Sequence, residues 1–123
     1  MSKIVYVAGK YYEKTIGARL ANTHICIDIA IELYEKSNKK LIPYVPVWTH
    51  WMEERMDYLR YPERPNEYWY AFDDNFMPKM DLFLKTCETG VSKGADAEEK
   101  LAKSLNIPVY YSLKEILERE SNG

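Results

Sequence analysis

Ser92, Gly94 and Glu98 are the residues of this chain best spaced to do chemistry together. They lie in the run Ser92-Lys93-Gly94-Ala95-Asp96-Ala97-Glu98-Glu99, where a small Ser-x-Gly turn passes into a helix expected over residues 95–105. The start of a helix leaves backbone N–H groups without intrahelical partners at the positive end of the dipole, so such a turn can hold an anion. Glu98 is expected in the first turn, facing whatever the turn binds. That makes an anion cradle with an acid at its mouth. The same glutamate can instead only complement the helix dipole, a role worth ~0.3–1 kcal/mol. Glu99 points about 100° away round the helix and is read as solvated. Asp96 needs no role beyond the dipole.

Other polar residues can join this group. Asp73 and Asp74 fall near the end of a helix expected over 67–76, where acids oppose the dipole. Asp73 is read as a sugar or base contact and Asp74 as facing water. Arg19, near the start of the first helix, can reach a phosphate or form a surface ion pair. His50 stands between Trp48 and Trp51 as a general acid, a phosphate contact or a packed ring. Tyr68 and Trp69 can stack on a base or lie at a subunit contact. Asp81 opens a strand and is read as structural. Cys87 has no partner histidine in view and is not read as a nucleophile. Cys26, Cys87, His24 and His50 have no metal-ligand spacing, so neither a metal site nor any other cofactor is expected.

Strands are expected at 3–8, 41–46, 81–86 and 107–111, from short apolar runs bounded by Gly, Pro or polar residues. Helices are expected from about Thr15 to Ser37, within 47–60, at 67–76 with Asn66 as cap, at 95–105, and from Ser112 onward with Glu115 in a capping box. The first helix shows two apolar stripes, Ile25-Ile29-Leu33 and Ile27-Ile31-Tyr34, so it is expected to pack on a sheet and on a second body. Pro43 and Pro46 put the second strand at an edge or a loop. Alternating strands and helices predict a three-layer α/β/α, Rossmann-like fold with a parallel sheet of four to five strands, as a single domain over residues 1–123. Ligands bind at the carboxyl ends of such strands. The segments 9–14, 46–50 and 87–98 should therefore converge.

The 123 residues carry a net charge of −2, and a pI near 5.7 argues against a nucleic-acid polymer as partner. No apolar run reaches the ~20 residues of a membrane span. Unpaired cysteines and no recognisable leader suit the cytoplasm. Of the eleven tyrosines and three tryptophans, most cluster between Tyr44 and Phe72, as unusual core or as pocket wall and interface. A homodimer or larger homo-oligomer is expected.

Five motifs in order resemble the nucleoside 2-deoxyribosyltransferase-like superfamily, and within it a small branch with a Tyr-x-Ala-Gly-Pro-Tyr start. They are Tyr6-Val7-Ala8-Gly9-Lys10-Tyr11, Val45-Pro46 followed by Thr49-His50, Tyr68-Trp69 leading to Asp73, the spaced Asp81, and Ser92 to Glu98. The similarity spans about residues 4 to 117. It implies Glu98 as nucleophile, Asp73 as its assistant, and Tyr11 or Tyr12 touching the glutamate or the sugar, with Tyr12 placed in the catalytic set. It implies Ser92 and Gly94 on a 5′-phosphate. Gly9, Lys10, Tyr11, Arg19, His50 and Trp69 complete the expected binding set. Lys10 departs from the branch's proline. It can help hold a phosphate or mark loss of the chemistry.

The expected function is cleavage or transfer of the N-glycosidic bond of a nucleoside or nucleotide, by hydrolysis or deoxyribosyl transfer through Glu98. The alternative is a sensor module that binds a nucleotide or ADP-ribose-like ligand without turnover. A structural homo-oligomer with a vestigial pocket is the third reading.

Overall fold

The computed structural model describes residues 2–65 and 67–121. Four strands form one all-parallel sheet: β1 (Lys3–Ala8), β2 (Leu41–Tyr44), β3 (Leu82–Lys85) and β4 (Val109–Tyr110), in the order β2-β1-β3-β4. Five α-helices connect and cover them: α1 (Ile16–Lys36), α2 (His50–Tyr58), α3 (Glu67–Asp74), α4 (Lys93–Ser104) and α5 (Leu113–Glu120).

Strand alternation sorts the core into two halves. Val5 and Val7 of β1 and Leu82 and Leu84 of β3 face α1 and α5, meeting Cys26, Ala30, Leu33 and Ile116. Tyr6, Ala8 and Phe83 face the other way and meet Ala95 and Ala102 of α4, with Met77 and Met80. Helices therefore cover both faces, as parallel sheets require. From β1 the chain crosses to β2 on one side. The next strand, β3, lies on β1's other side. The direction of winding thus reverses between β1 and β3, which opens a crevice above their carboxyl ends.

Local chemistry sets the boundaries. Thr15, extended at φ −110° and ψ 150°, starts α1 by accepting the Ala18 N–H on its hydroxyl at 3.2 Å. Ser112 starts α5 in the same way through the Glu115 N–H at 3.0 Å. Ser92 caps α4 through the Ala95 N–H at 3.1 Å, so that helix begins two residues earlier than the apolar pattern implied. The cap expected at Asn66 lies outside the described residues. The fourth strand shrinks to two residues, because only Phe83 and Leu84 of β3 have partners there.

The stripes read on α1 need correction. The buried residues are Thr23, Cys26, Ala30 and Leu33, while Ile25 and Ile31 are more than half exposed. Thr23, Cys26 and Ala30 are small and let α1 approach the sheet closely, while Ile27 and Ile29 pack at the margin of that face. That approach also fixes Gly9. A Cβ there would stand 2.4 Å from Cys26 Sγ and 2.5 Å from Thr86 Oγ1. Gly9→Ala is expected to lower stability by ~1–3 kcal/mol in urea unfolding, the usual cost of overpacking. Adding Cys26→Ala should return part of that loss, and no recovery would show that the strain is not carried by this contact.

No helix among the described residues is long and apolar enough to cross a membrane.

Candidate active site

A cleft of about 980 Å³ opens above the carboxyl ends of β1 and β3. The loop after β1 supplies Gly9, Lys10, Tyr11 and Tyr12. The turn after β2 supplies Pro46, Val47 and Thr49, and the start of α4 supplies Ser92, Lys93, Gly94 and Ala95. The three segments expected to converge do so. Asp73 and Trp69 enter from α3, Arg19 from α1, and Glu98 from α4.

Glu98 lies in the second turn of α4 rather than the first, six residues after its cap. It is 8 % exposed, and the Tyr6 hydroxyl donates to its Oε2. Asp73, 5 % exposed, accepts from the Tyr44 hydroxyl at 3.2 Å. Neither carboxyl is ion-paired with a described lysine, arginine or histidine. Burial pushes Glu98 up to about 8, although the Tyr6 hydrogen bond pulls the other way and the charges of Asp73 and Asp74 add to the rise. Burial likewise lifts Asp73 to about 7, against the Tyr44 hydrogen bond. Both carboxyls hold their protons toward neutrality, Glu98 more firmly than Asp73, so the cleft carries an acid at rest and a carboxylate once a cation approaches.

Tyr6 and Tyr44 were not legible as site residues. Tyr6 is fully buried, stacks on Phe83 at 5.4 Å and leans on Tyr44 at 5.5 Å. The available signal was a tyrosine inside an apolar strand, because a buried phenol needs a hydroxyl partner.

Ser92 and Gly94 line the cleft where expected, but the Ser92 hydroxyl already caps its own helix. Gly94 lets Tyr70 lie across the start of α4, since a Cβ at residue 94 would come 2.8 Å from that ring. Lys10 pairs with Glu13 at 3.0 Å at the surface. Arg19 donates to the Glu13 carbonyl at 2.7 Å and sits 4.8 Å over the Tyr12 ring.

The far wall is tied by Arg64. Its guanidinium, with 5 % side-chain exposure, holds Glu53 at 2.5 Å and Asp57 at 2.6 Å. Trp69 spends its indole N–H on Glu53. This brings the ring to the cleft wall and fixes its edge.

His50 does not line the cleft. As the first residue of α2 it turns inward and is 1 % exposed, behind Tyr11 and beside a smaller recess of about 210 Å³. Glu99 is not solvated. It pairs with Lys85 at 2.7 Å and with Lys103 at 2.8 Å. Lys85, the last residue of β3, also holds Asp96 at 2.6 Å, and Asp96 accepts the Gly90 N–H at 2.9 Å. One buried ammonium thus fixes both the rotation of α4 and the loop before it. Asp81 accepts the Ile4 N–H at 2.8 Å, a structural bond as expected.

No family model, curated protein or solved structure matches the chain.

Proposed function

We propose that this protein cleaves or transfers the N-glycosidic bond of a nucleoside or nucleotide, with Glu98 as the nucleophile. The observation that carries this reading is the Glu98 carboxyl, buried at the cleft floor on the Tyr6 hydroxyl with Asp73 nearby and no cation among the described residues paired to it. An oxocarbenium-like sugar brings the positive charge that such a site lacks. Its approach favours the ionised form of both carboxyls. Glu98 then bonds to C1′ as the base departs, and water or a second base resolves the intermediate. Asp73 contacts the sugar. The start of α4, with Lys93 and the Gly94 backbone, offers a place for a 5′-phosphate. The five ordered motifs shared with the deoxyribosyltransferase-like superfamily support the same assignment.

The test is a panel of purine and pyrimidine nucleosides and their 5′-monophosphates, read by chromatography for free base. At least one member is expected to release base in proportion to enzyme. A nucleotide that binds the cleft and is recovered intact after long incubation would replace this reading with that of a sensor.

A further inference from the structure

The glycosyl reading names the sugar chemistry and leaves the base open. The cleft has two ends. At one, Tyr70 of α3 lies across Gly94 at the start of α4, where a Cβ would come 2.8 Å from its ring. At the other, Trp69 gives its indole N–H to Glu53 of α2. Asp73 follows these two residues by one turn of α3, on the face they share. In a nucleoside the base and the 5′ carbon leave the sugar ring on either side of the ring oxygen. A ligand with its sugar at Asp73 and Glu98 and its 5′ end at the start of α4 therefore carries its base to Trp69 and Glu53.

Glu53 is fixed before any ligand arrives. Its Oε2 accepts from Arg64 Nε at 3.0 Å and from Nη2 at 2.5 Å, and its Oε1 accepts from Trp69. A carboxylate offers about four acceptor sites. Described residues fill three of them, which leaves one on Oε1, beside the edge of the Trp69 ring. Burial works against the Glu53 charge, but the hydrogen bonds from Arg64 and Trp69 outweigh it and hold the carboxyl below its ordinary range. Glu53 thus accepts hydrogen bonds and donates none at neutral pH. Arg64 has little to offer a ligand, because its guanidinium is taken up by Glu53, Asp57 and the Pro62 carbonyl.

Resting on the glycosyl reading for its ligand class, we propose that Glu53 selects the base by accepting from an exocyclic amino group, so that adenine and cytosine are preferred to hypoxanthine and uracil. Trp69 is the surface against which the base lies, and its indole N–H holds Glu53 Oε1 at that surface. Contact with an aromatic ring is tolerant of base type, so the discrimination falls to the carboxylate.

The test uses matched pairs. Adenosine and inosine differ by an amino-to-keto change at one ring carbon, as do cytidine and uridine. Affinity is read by calorimetry in the Glu98→Gln background, which keeps the ligand intact, and kcat/KM for base release is read in the parent. The amino member of each pair is expected to bind about 10–100-fold more tightly, the usual worth of a hydrogen bond to a charged group. Glu53→Gln fills the same volume, still accepts from Trp69 and Arg64, and can donate to a keto oxygen. It should lower the amino-to-keto ratio of both affinity and kcat/KM by about 10–100-fold. Comparing variant with parent cancels the intrinsic lability of each base. An affinity ratio near one overturns the assignment, and so does a Glu53→Gln that weakens both members of a pair equally. Tighter binding of inosine and uridine would put a donor such as Arg19 against the base and overturn it as well. If Glu53→Gln does not fold, the two affinity ratios decide alone. An affinity ratio as expected without release of any base removes the glycosyl reading alone. Base release without a ratio removes the role of Glu53 alone, and neither binding nor release of the four nucleosides removes both.

Discussion

Glu98→Gln is expected to leave the fold and ligand binding in place and to lower base release by about 10⁴-fold or more, the scale seen when a nucleophile is removed. Glutamine fills the same volume and can still accept from the Tyr6 hydroxyl, but it cannot bond to C1′ as a carboxylate does. Single-turnover base release, with ligand affinity measured alongside, gives the answer. Asp73→Asn should cost less, because Asp73 contacts the sugar without bonding to C1′. Unchanged base release in Glu98→Gln would sink the assigned chemistry.

The same variant has a signature that needs no substrate. Glu98 and Asp73 keep their protons in the folded protein up to about 8 and about 7, whereas the unfolded chain releases them above about pH 4. The stability this contributes is fully present below that point and is lost as pH rises through the folded values. The melting temperature of the parent should fall between about pH 5 and about pH 9, and Glu98→Gln should flatten the fall.

Lys85→Met is expected to cost about 3 kcal/mol in urea unfolding at neutral pH. That is the lower end of the ~3–5 kcal/mol lost on breaking a buried pair. The lower end applies because Glu99 keeps Lys103 and Tyr111, and Asp96 keeps the Gly90 N–H and some contact with water. Burial alone would lower the Lys85 ammonium. The hydrogen bonds to Asp96 and Glu99 outweigh it and hold the group above its ordinary value. Replacing Asp96 and Glu99 by their amides in the Lys85→Met background should recover much of the loss, since no carboxylate is then stranded. A loss below about 1 kcal/mol would show that the network is no more than a surface ion pair.

The sheet was readable because its strands are short apolar runs such as Ile4-Val5-Tyr6-Val7-Ala8, and hydrophobic periodicity reports burial directly. The start of α1 was readable from Thr15, a side chain with one clear capping role. Gly9, Ser92, Gly94, Asp73 and Glu98 stand in one cleft because a parallel sheet dictates where its loops gather. Pairing across the chain was not readable. Alternation places Tyr6 opposite Val5 and Val7, but it does not say which face of the sheet opens into a cleft. Lys85 falls within the strand expected at 81–86, and nothing local announced that Asp96 and Glu99 would turn to meet it. Glu53 and Arg64 are joined across an irregular loop whose path no period encodes. His50 was placed with the ligand for its chemistry alone, and helix α2 turned it behind Tyr11 instead.

The outer rim of the sheet sets a rule for self-association. The Lys3 N–H donates to the Lys40 carbonyl at 2.9 Å, and β1 pairs with β2 in parallel with Val5 opposite Pro43. Parallel pairing turns alternate residues toward the neighbour, so Ile42 and Tyr44 point inward and the Pro43 nitrogen points outward. A strand from another molecule laid along that rim would find no N–H at its centre. The proline therefore acts as a stop against end-on growth of the sheet into larger ribbons or fibrils. Along this rim, copies of this chain that come together meet through helices and loops, and the opposite rim offers only the two residues of β4 for pairing.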